Sequence, residues 1–268
     1  MSFSSGHRYW LPHLSEEENR RLFGRWASPY NHGHNYVLEM TVSGAISPQT
    51  GMVINIKELD ALLRRRIVDR FDQKSLNDEV DEFAELPPTT ENISLVIWRQ
   101  MLDLPQGTRL ESIQLFENER LFVQVSRNNG GYDMTLTRCY EFSASHRLHC
   151  PQLSDAENAA LFGKCNNPTG HGHNYELEVS VRVSPDPVTG MGVDIGVVDE
   201  IVNREVVDRY DHHNLNDDIE EFHGLNPTTE VLTRTIWRRL NGKLPVPLQK
   251  VVVKETARNY FEYSGEDE

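Results

Sequence analysis

The stretch Lys164–Tyr175, KCNNPTGHGHNY, places Cys165 ahead of two histidines, His171 and His173, that are separated by one glycine. Alternate side chains of a β-strand point to the same face, so these two imidazoles share one face of a strand. A third histidine, His146, lies 25 positions before His171 at the end of another strand-like run. Three neutral imidazoles with an open fourth position form a common catalytic zinc site. The stretch therefore predicts zinc bound by these three histidines.

The same arrangement occurs earlier in the chain. His7 lies 25 positions before His32, and His32 and His34 belong to another HGHNY. His146 lies 139 positions after His7, and the same offset relates most later residues of the two halves. Such self-similarity is the sign of a tandem repeat, and it predicts a second zinc-capable triad. We predict two repeats joined by a polar, glycine-bearing connector: 1–126, 127–133 and 134–268.

Each repeat has the same coarse pattern of secondary structure. After HGHNY, apolar and polar residues alternate, as in a strand with one buried face. Two amphipathic helical stripes and two further short strands follow, and Ser15 with Glu18 and Ser154 with Glu157 fit capping boxes of a short helix before HGHNY. The predicted order is strand, strand, helix, helix, strand, strand, which is an α+β domain.

Composition excludes several classes of protein. The formal charge of −14 argues against a non-specific surface for nucleic acid or anionic membranes. No apolar run approaches the length of a membrane span, and the three cysteines do not suggest a disulfide framework. We therefore predict a cytoplasmic protein with no nucleic-acid or membrane partner.

Five segments of the second repeat carry a family resemblance: FSASHRLHCPQLSDAENAALFGKCNNPTGHGHNY, DPVTGM, YDHHNLND, PTTE and VKET. They resemble the family of 6-pyruvoyl-tetrahydropterin synthase and 6-carboxytetrahydropterin synthase, and the first repeat shows a weaker form of the same likeness. The resemblance implies two tandem T-fold (tunnelling-fold) domains, each an antiparallel four-stranded sheet with two helices on one face. It also implies zinc-dependent conversion of 7,8-dihydroneopterin triphosphate to 6-pyruvoyltetrahydropterin with release of triphosphate. That reaction is a carbon–oxygen lyase step on a phosphate ester in tetrahydrobiopterin biosynthesis.

The resemblance also implies roles for individual residues. Cys165 matches the family's proton-abstracting thiol, and Asp211 with His212 matches its proton-relay pair. Glu255 matches the carboxylate that anchors the pterin ring. The family's substrate-contacting TTE segment matches Thr228, Thr229 and Glu230. A small buried hydrophobe is the alternative for Cys165, and a favourable charge in the first turn of a helix is the alternative for Glu230.

The first repeat departs from this pattern at two positions. At the 139-residue offset, Cys165 faces Trp26 and His212 faces Gln73. An indole cannot act as a base, and an amide cannot relay a proton. We predict that the first repeat keeps a zinc-capable triad without catalysis, and a purely structural half is the alternative.

Two alternative functions remain, and the resemblance also predicts how copies of the chain assemble. 6-Carboxytetrahydropterin synthesis, as in queuosine-type pathways, uses the same substrate and catalytic set, but its members typically have a shorter gap between the cysteine and HGH. The third predicted function is that of a non-catalytic pterin-binding protein. The family forms stacked trimeric rings, so we predict a homotrimer of tandem chains, a pseudo-hexamer in which like repeats share a ring.

Overall fold

The computed structural model describes residues 1–265, which divide into two compact units. The first unit comprises Met1–Leu136 together with Arg182–Val193. The second comprises Thr137–Val181 and the described part of Asp194–Glu268. Residues 266–268, the end of the predicted second repeat, lie outside the described residues.

The sheet of the first unit has four main strands in the order β5-β4-β2-β1, and a two-residue strand, β3, pairs with β1. The main strands pair antiparallel, whereas β3 pairs parallel. The strands are β1 Ser2–His7, β2 His32–Gly44, β3 Lys74–Ser75, β4 Thr108–Asn118 and β5 Leu121–Asn128.

The helices of the first unit are α1 Glu16–Phe23, α2 Ile56–Leu63, α3 Asp69–Phe71, α4 Leu76–Glu79 and α5 Thr90–Gln100. A π-helical turn, Arg64–Val68, joins α2 to α3, and 3-10 turns occur at Gly24–Trp26 and Asp81–Phe83. Ser15 caps α1, and its capping box with Glu18 confirms the prediction.

The second unit repeats this plan. Its strands are β6 Gly131–His146, which begins in the first unit, β7 His171–Arg182, β8 His213–Asn214, β9 Leu248–Thr256 and β10 Asn259–Tyr263. They follow the order β6-β7-β9-β10, and β8 pairs parallel with β6. Its helices are α6 Asp155–Phe162, α7 Ile195–Val202, α8 Asp208–Tyr210 and α9 Thr229–Leu240, with a π-helical turn at Asn203–Val207 and 3-10 turns at Gly163–Asn166 and Glu220–Phe222.

Each unit is therefore α+β, with an antiparallel four-stranded sheet and two helices on one face, as predicted. Stacked aromatic rings in each core lie beside the predicted metal ligands. In the second unit, Phe142 stacks on the fully buried Tyr175 with ring centroids 5.2 Å apart. In the first, Phe3 stacks on Tyr36 at 5.1 Å. Because Tyr175 and Tyr36 lie two residues after the HGH pairs on the same strand face, this packing orients the histidines.

Candidate functional site

The second unit brings its three predicted histidines together. His146 is the last residue of β6, and His171 and His173 begin β7 on one face of the strand. The Nε2 atoms of His146 and His171 are 3.3 Å apart, and one ligand atom from each of the three histidines lies within 4.8 Å of the others. This is the geometry of a site that could hold a metal ion.

A hydrogen bond leaves one ring nitrogen of His146 free to bind a metal. Its Nδ1 lies 2.8 Å from the carbonyl oxygen of Pro227. Since a carbonyl only accepts, Nδ1 carries the hydrogen, and Nε2 keeps a free lone pair that faces His171. Burial, and then the neighbouring His171, lower the pKa of His146, while the Pro227 contact opposes them. Burial also lowers the pKa of His173. Neutral imidazoles are the form that binds metals.

The first unit repeats this arrangement with His7, His32 and His34. His7 Nδ1 lies 2.7 Å from the carbonyl oxygen of Pro88, and burial lowers the pKa of His7 to about 3. Among residues 1–265, the Nε2 atoms of His7, His34 and His173 are buried and have no hydrogen-bond partner. Buried nitrogens without partners are costly, and a bound metal would satisfy them. Both triads therefore fit a divalent metal.

A carboxylate accompanies each triad. Glu255 Oε1 lies 3.6 Å from Nε2 of both His146 and His173. Glu117 Oε1 lies 3.6 Å from His34 Nε2, and its other carboxylate oxygen accepts a hydrogen bond from the Thr90 hydroxyl. The structure thus places Glu255, the predicted pterin anchor, beside the predicted metal site of the second unit, and Glu117 beside the triad of the first.

Cys165 lies at the same end of the second unit. It is in the 3-10 turn Gly163–Asn166, and its carbonyl oxygen accepts from Leu148 N–H at 2.9 Å. Burial raises the pKa of Tyr175, and both the Glu255 carboxylate and the Cys165 side chain raise it further. The counterpart of Cys165 is Trp26, which occupies the matching turn of the first unit and has a buried indole N–H.

Asp211 and His212 form the predicted pair, directly after α8. His212 Nδ1 is 2.8 Å from the Asp211 carboxylate, which also accepts from Ser143 N–H at 2.7 Å. Both contacts lower the pKa of Asp211, and the Ser143 contact is the larger cause. His212 borders a surface depression with Ser143, Asn174 and His173. Asn174 alternates with the metal-type histidines along β7, so its side chain is on the opposite face of the sheet.

His212 has an unusual backbone conformation, which it shares with Gln73 of the first unit. Their φ angles are 62° and 59°, in the left-handed region that non-glycine residues rarely adopt. In each case the amide donates to the first strand of its repeat, to Ser143 O or to Ser4 O. The conformation is therefore part of the fold, and the exposed imidazole of His212 is the feature specific to the second unit.

The TTE segments of the two units differ in a way that sequence reasoning missed. Thr228 caps α9 through Val231 N–H, and Glu230 in its first turn is exposed. Glu91, the counterpart of Glu230, is buried instead, and burial raises its pKa to about 7. Its carboxylate accepts from Gly192 N–H at 2.7 Å. These residues are 101 positions apart, so no local pattern could have revealed the contact.

The fold and these sites define the class of the protein, a tandem T-fold chain with a histidine triad that could hold a metal in each unit. Residues 1–128 and 135–266 each match the sequence model of the family described as 6-pyruvoyl tetrahydropterin synthase, and the chain belongs to that family. No helix in residues 1–265 is long and apolar enough to cross a membrane.

The chain is similar to several named proteins. The chain is 48% identical over 132 residues to 6-pyruvoyl tetrahydrobiopterin synthase of Drosophila melanogaster, covering 48% of this chain and 79% of that protein. It is 45% identical over 132 residues to the Homo sapiens protein of the same name, covering 49% and 91%. The solved structure of 6-pyruvoyl tetrahydropterin synthase from Caenorhabditis elegans is 42% identical, covers 49% of this chain and 95% of its own, and has a TM-score of 0.47.

Proposed function

We propose that the second unit converts 7,8-dihydroneopterin triphosphate to 6-pyruvoyltetrahydropterin and releases triphosphate, as a zinc-dependent carbon–oxygen lyase. The observation that carries this proposal is the histidine triad with Glu255 beside it, together with the hydrogen bond that joins the Cys165 backbone to Leu148, two residues after His146. A base, a metal-type site and a carboxylate anchor are the parts that the reaction requires. The protein would then serve tetrahydrobiopterin biosynthesis, and we place it in the cytoplasm.

The residues would divide the work as follows. His146, His171 and His173 would hold zinc, which polarises substrate oxygens as a Lewis acid. Glu255 would accept two hydrogen bonds from the amino and ring N–H edge of the pterin and so fix the ring. Cys165 would take a proton from the substrate side chain as a thiolate. Thr229, which is buried although Glu230 after it is exposed, would support the pterin end of the site.

Asp211 and His212 would pass the proton onward, with the carboxylate orienting the imidazole. Within one chain, the depression beside His212 is lined by Asn174 and His173 but not by Cys165. We therefore propose that the relay pair acts on Cys165 of another copy of the chain. The assembly predicted from the repeat, a trimer of chains, stays a prediction that the mass in solution will check. A mass that is not a multiple of three chains would contradict it.

Product analysis tests the proposed reaction directly. Zinc-loaded protein incubated with 7,8-dihydroneopterin triphosphate should release 6-pyruvoyltetrahydropterin and free triphosphate, identified by mass spectrometry. The same assay separates the alternatives: 6-carboxytetrahydropterin with acetaldehyde would replace the proposal with the carboxy-type reaction. Tight pterin binding without any product would favour the non-catalytic reading.

The first unit is expected to be inactive because Trp26 and Gln73 replace the base and the relay imidazole. With the second unit silenced by Cys165→Ala, the double change Trp26→Cys and Gln73→His should restore measurable product. Trp26→Ala should not, because it opens space without supplying a base. If Trp26→Ala alone gave activity comparable to that of the intact second unit, this interpretation would be wrong.

A further inference from the structure

In the second unit, Cys165 and Asn166 are bound to the three residues that follow β6. Leu148 N–H donates to Cys165 O at 2.9 Å. The Arg147 guanidinium donates to the side-chain oxygen of Asn166 through Nε at 3.2 Å and through Nη2 at 3.0 Å. His149 Nδ1 lies 3.0 Å from the same oxygen and 3.2 Å from Arg147 Nη2. Three successive residues therefore hold the turn that carries Cys165.

One loop of the second unit connects this group to the metal-type ligand His146. Pro227 O accepts a hydrogen bond from His146 Nδ1 at 2.8 Å. Asn226, the residue before that proline, accepts from His149 N–H through its side-chain oxygen at 2.7 Å. The same two-residue loop therefore fixes both His146 and His149, and the contacts of His149 continue to Asn166.

The first unit does not repeat this network. At the 139-residue offset the three side chains that bond to one another or to the loop are all replaced: His149 by Trp10, Asn166 by Ala27 and Asn226 by Pro87. Arg8 keeps the position of Arg147, but its guanidinium binds other groups. It donates to the Asn31 side-chain oxygen at 2.9 Å and to both carboxylate oxygens of Asp78 at 2.6 Å. The arginine alone therefore does not create the network.

A neighbouring contact, by contrast, is common to both units. The Asn216 side chain accepts from Arg147 N–H at 2.7 Å and donates to Arg147 O at 2.9 Å. Asn77 makes the same two bonds to Arg8, at 2.9 Å and 3.1 Å. This main-chain clamp is present with or without the cysteine, so it belongs to the fold. Within residues 1–265, the side-chain network accompanies the cysteine and is not repeated at the matching turn of the first unit.

We propose that Asn166, together with Arg147 and His149, positions Cys165 for proton abstraction. This proposal rests on the proposed reaction, in which Cys165 is the base. A base has to lie within hydrogen-bond reach of the proton that it takes, and a misplacement of about 1 Å costs on the order of 10²-fold in rate. A 3-10 turn by itself is a weak restraint, because its hydrogen bonds have poorer geometry than those of an α-helix. The contact between amide and guanidinium supplies the further restraint, and none of the three residues needs to touch the substrate.

The test uses Asn166→Ala in zinc-loaded protein, with Asn166→Asp as the conservative variant. The first unit has Ala27 at this position, directly after the matching turn, so the turn folds without the amide. Asn166→Ala should lower kcat by about 10- to 100-fold and leave KM within about threefold, since Glu255 and the triad are untouched. Asn166→Asp keeps an oxygen that accepts from the guanidinium. It should keep kcat within about threefold of wild type at the top of its pH profile.

Arg147→Met and Arg8→Met form a matched pair of variants. Each removes a guanidinium from the same position of its repeat, and each leaves the main-chain clamp in place. Arg147→Met should lower kcat as Asn166→Ala does. Arg8→Met breaks the ion pair with Asp78 in the first unit and should leave kcat within about twofold of wild type.

A second readout does not depend on turnover. A thiol held beside a metal ion ionises at a lower pH than a free cysteine, whose pKa is about 8.5. The pH midpoint for alkylation of Cys165 by iodoacetamide, followed by peptide mass spectrometry, should therefore rise by about one pH unit in Asn166→Ala. Cys139, on β6, is the internal reference in the same sample and should not change. A network that only stabilised the fold would leave the Cys165 midpoint where it is.

Two results would overturn the proposal. One is an alkylation midpoint for Cys165 that is the same in Asn166→Ala as in wild type, whatever the rate of product formation. The other is a loss of kcat in Asn166→Asp as large as that in Asn166→Ala, because the acceptor oxygen would then be irrelevant. If zinc-loaded wild-type protein formed no product, the proposed reaction would fail, and the alkylation midpoint would still decide whether the network positions the thiol.

Discussion

Cys165→Ala should lower the rate of 6-pyruvoyltetrahydropterin formation by roughly 10²–10⁴-fold, the range typical for loss of a general base. The Cys165 backbone is hydrogen-bonded to Leu148, two residues after His146, at the triad end of the second unit, where the pterin side chain would be held. The substitution removes the base but none of the three histidines. Bound zinc per chain should therefore stay at its wild-type value, measured on the same sample as the rate.

Cys150→Ala is the matched control. Cys150 is a half-buried free thiol in the same unit, and its Sγ lies 3.0 Å from the Gln152 side-chain oxygen. Its removal should leave the rate within about twofold of wild type, as expected for a substitution away from the chemistry. If Cys150→Ala slowed the reaction as much as Cys165→Ala, or if Cys165→Ala retained wild-type rate, Cys165 would not be the base.

The second large effect concerns the two triads. His34→Ala and His173→Ala remove corresponding ligands from the first and second units. Each should lower the zinc bound per chain from two ions to one, because a lost ligand weakens binding by more than the ~10–100-fold that a lost supporting hydrogen bond costs. Only His173→Ala should abolish product formation, since only its unit also contains the thiol.

Metal analysis after dialysis, together with the rate, checks this prediction. Equal loss of activity in both variants would mean that the first triad is needed for catalysis, against the interpretation of the first unit. A wild-type stoichiometry of one ion, unaffected by His34→Ala, would show that the first triad is a packing cluster. Thermal unfolding of both variants identifies any loss that comes from misfolding alone.

The local parts of the site were predictable because they depend on short-range geometry. Two histidines one residue apart share a strand face whatever surrounds them, so HGH was sufficient to pair His171 with His173. Ser15 and Glu18 form their capping box within a single helical turn. The 139-residue offset then extended the histidine pair and the capping box from one repeat to the other. It also showed that Trp26 replaces Cys165.

Contacts between distant segments were not predictable in this way. The Pro227 carbonyl that orients His146 lies 81 positions away along the chain. The left-handed conformation of His212 is shared by Gln73 and so does not follow from residue type alone, yet it sets where the imidazole lies. The burial of Glu91 by Gly192 depends on a loop 101 positions further on.

By itself, therefore, the sequence determined the duplication, the α+β order of elements, the two triads and the replacement of Cys165 by Trp26 in the first repeat. Only the tertiary structure decided which loop covers which TTE segment, and that Glu91 is buried while Glu230 is exposed. The physical reason is that periodicity and spacing report on neighbours within a strand or helix. Burial depends instead on which distant segment of backbone packs against a residue. Here the segment that contains Gly192 packs against Glu91 and donates an N–H to its carboxylate.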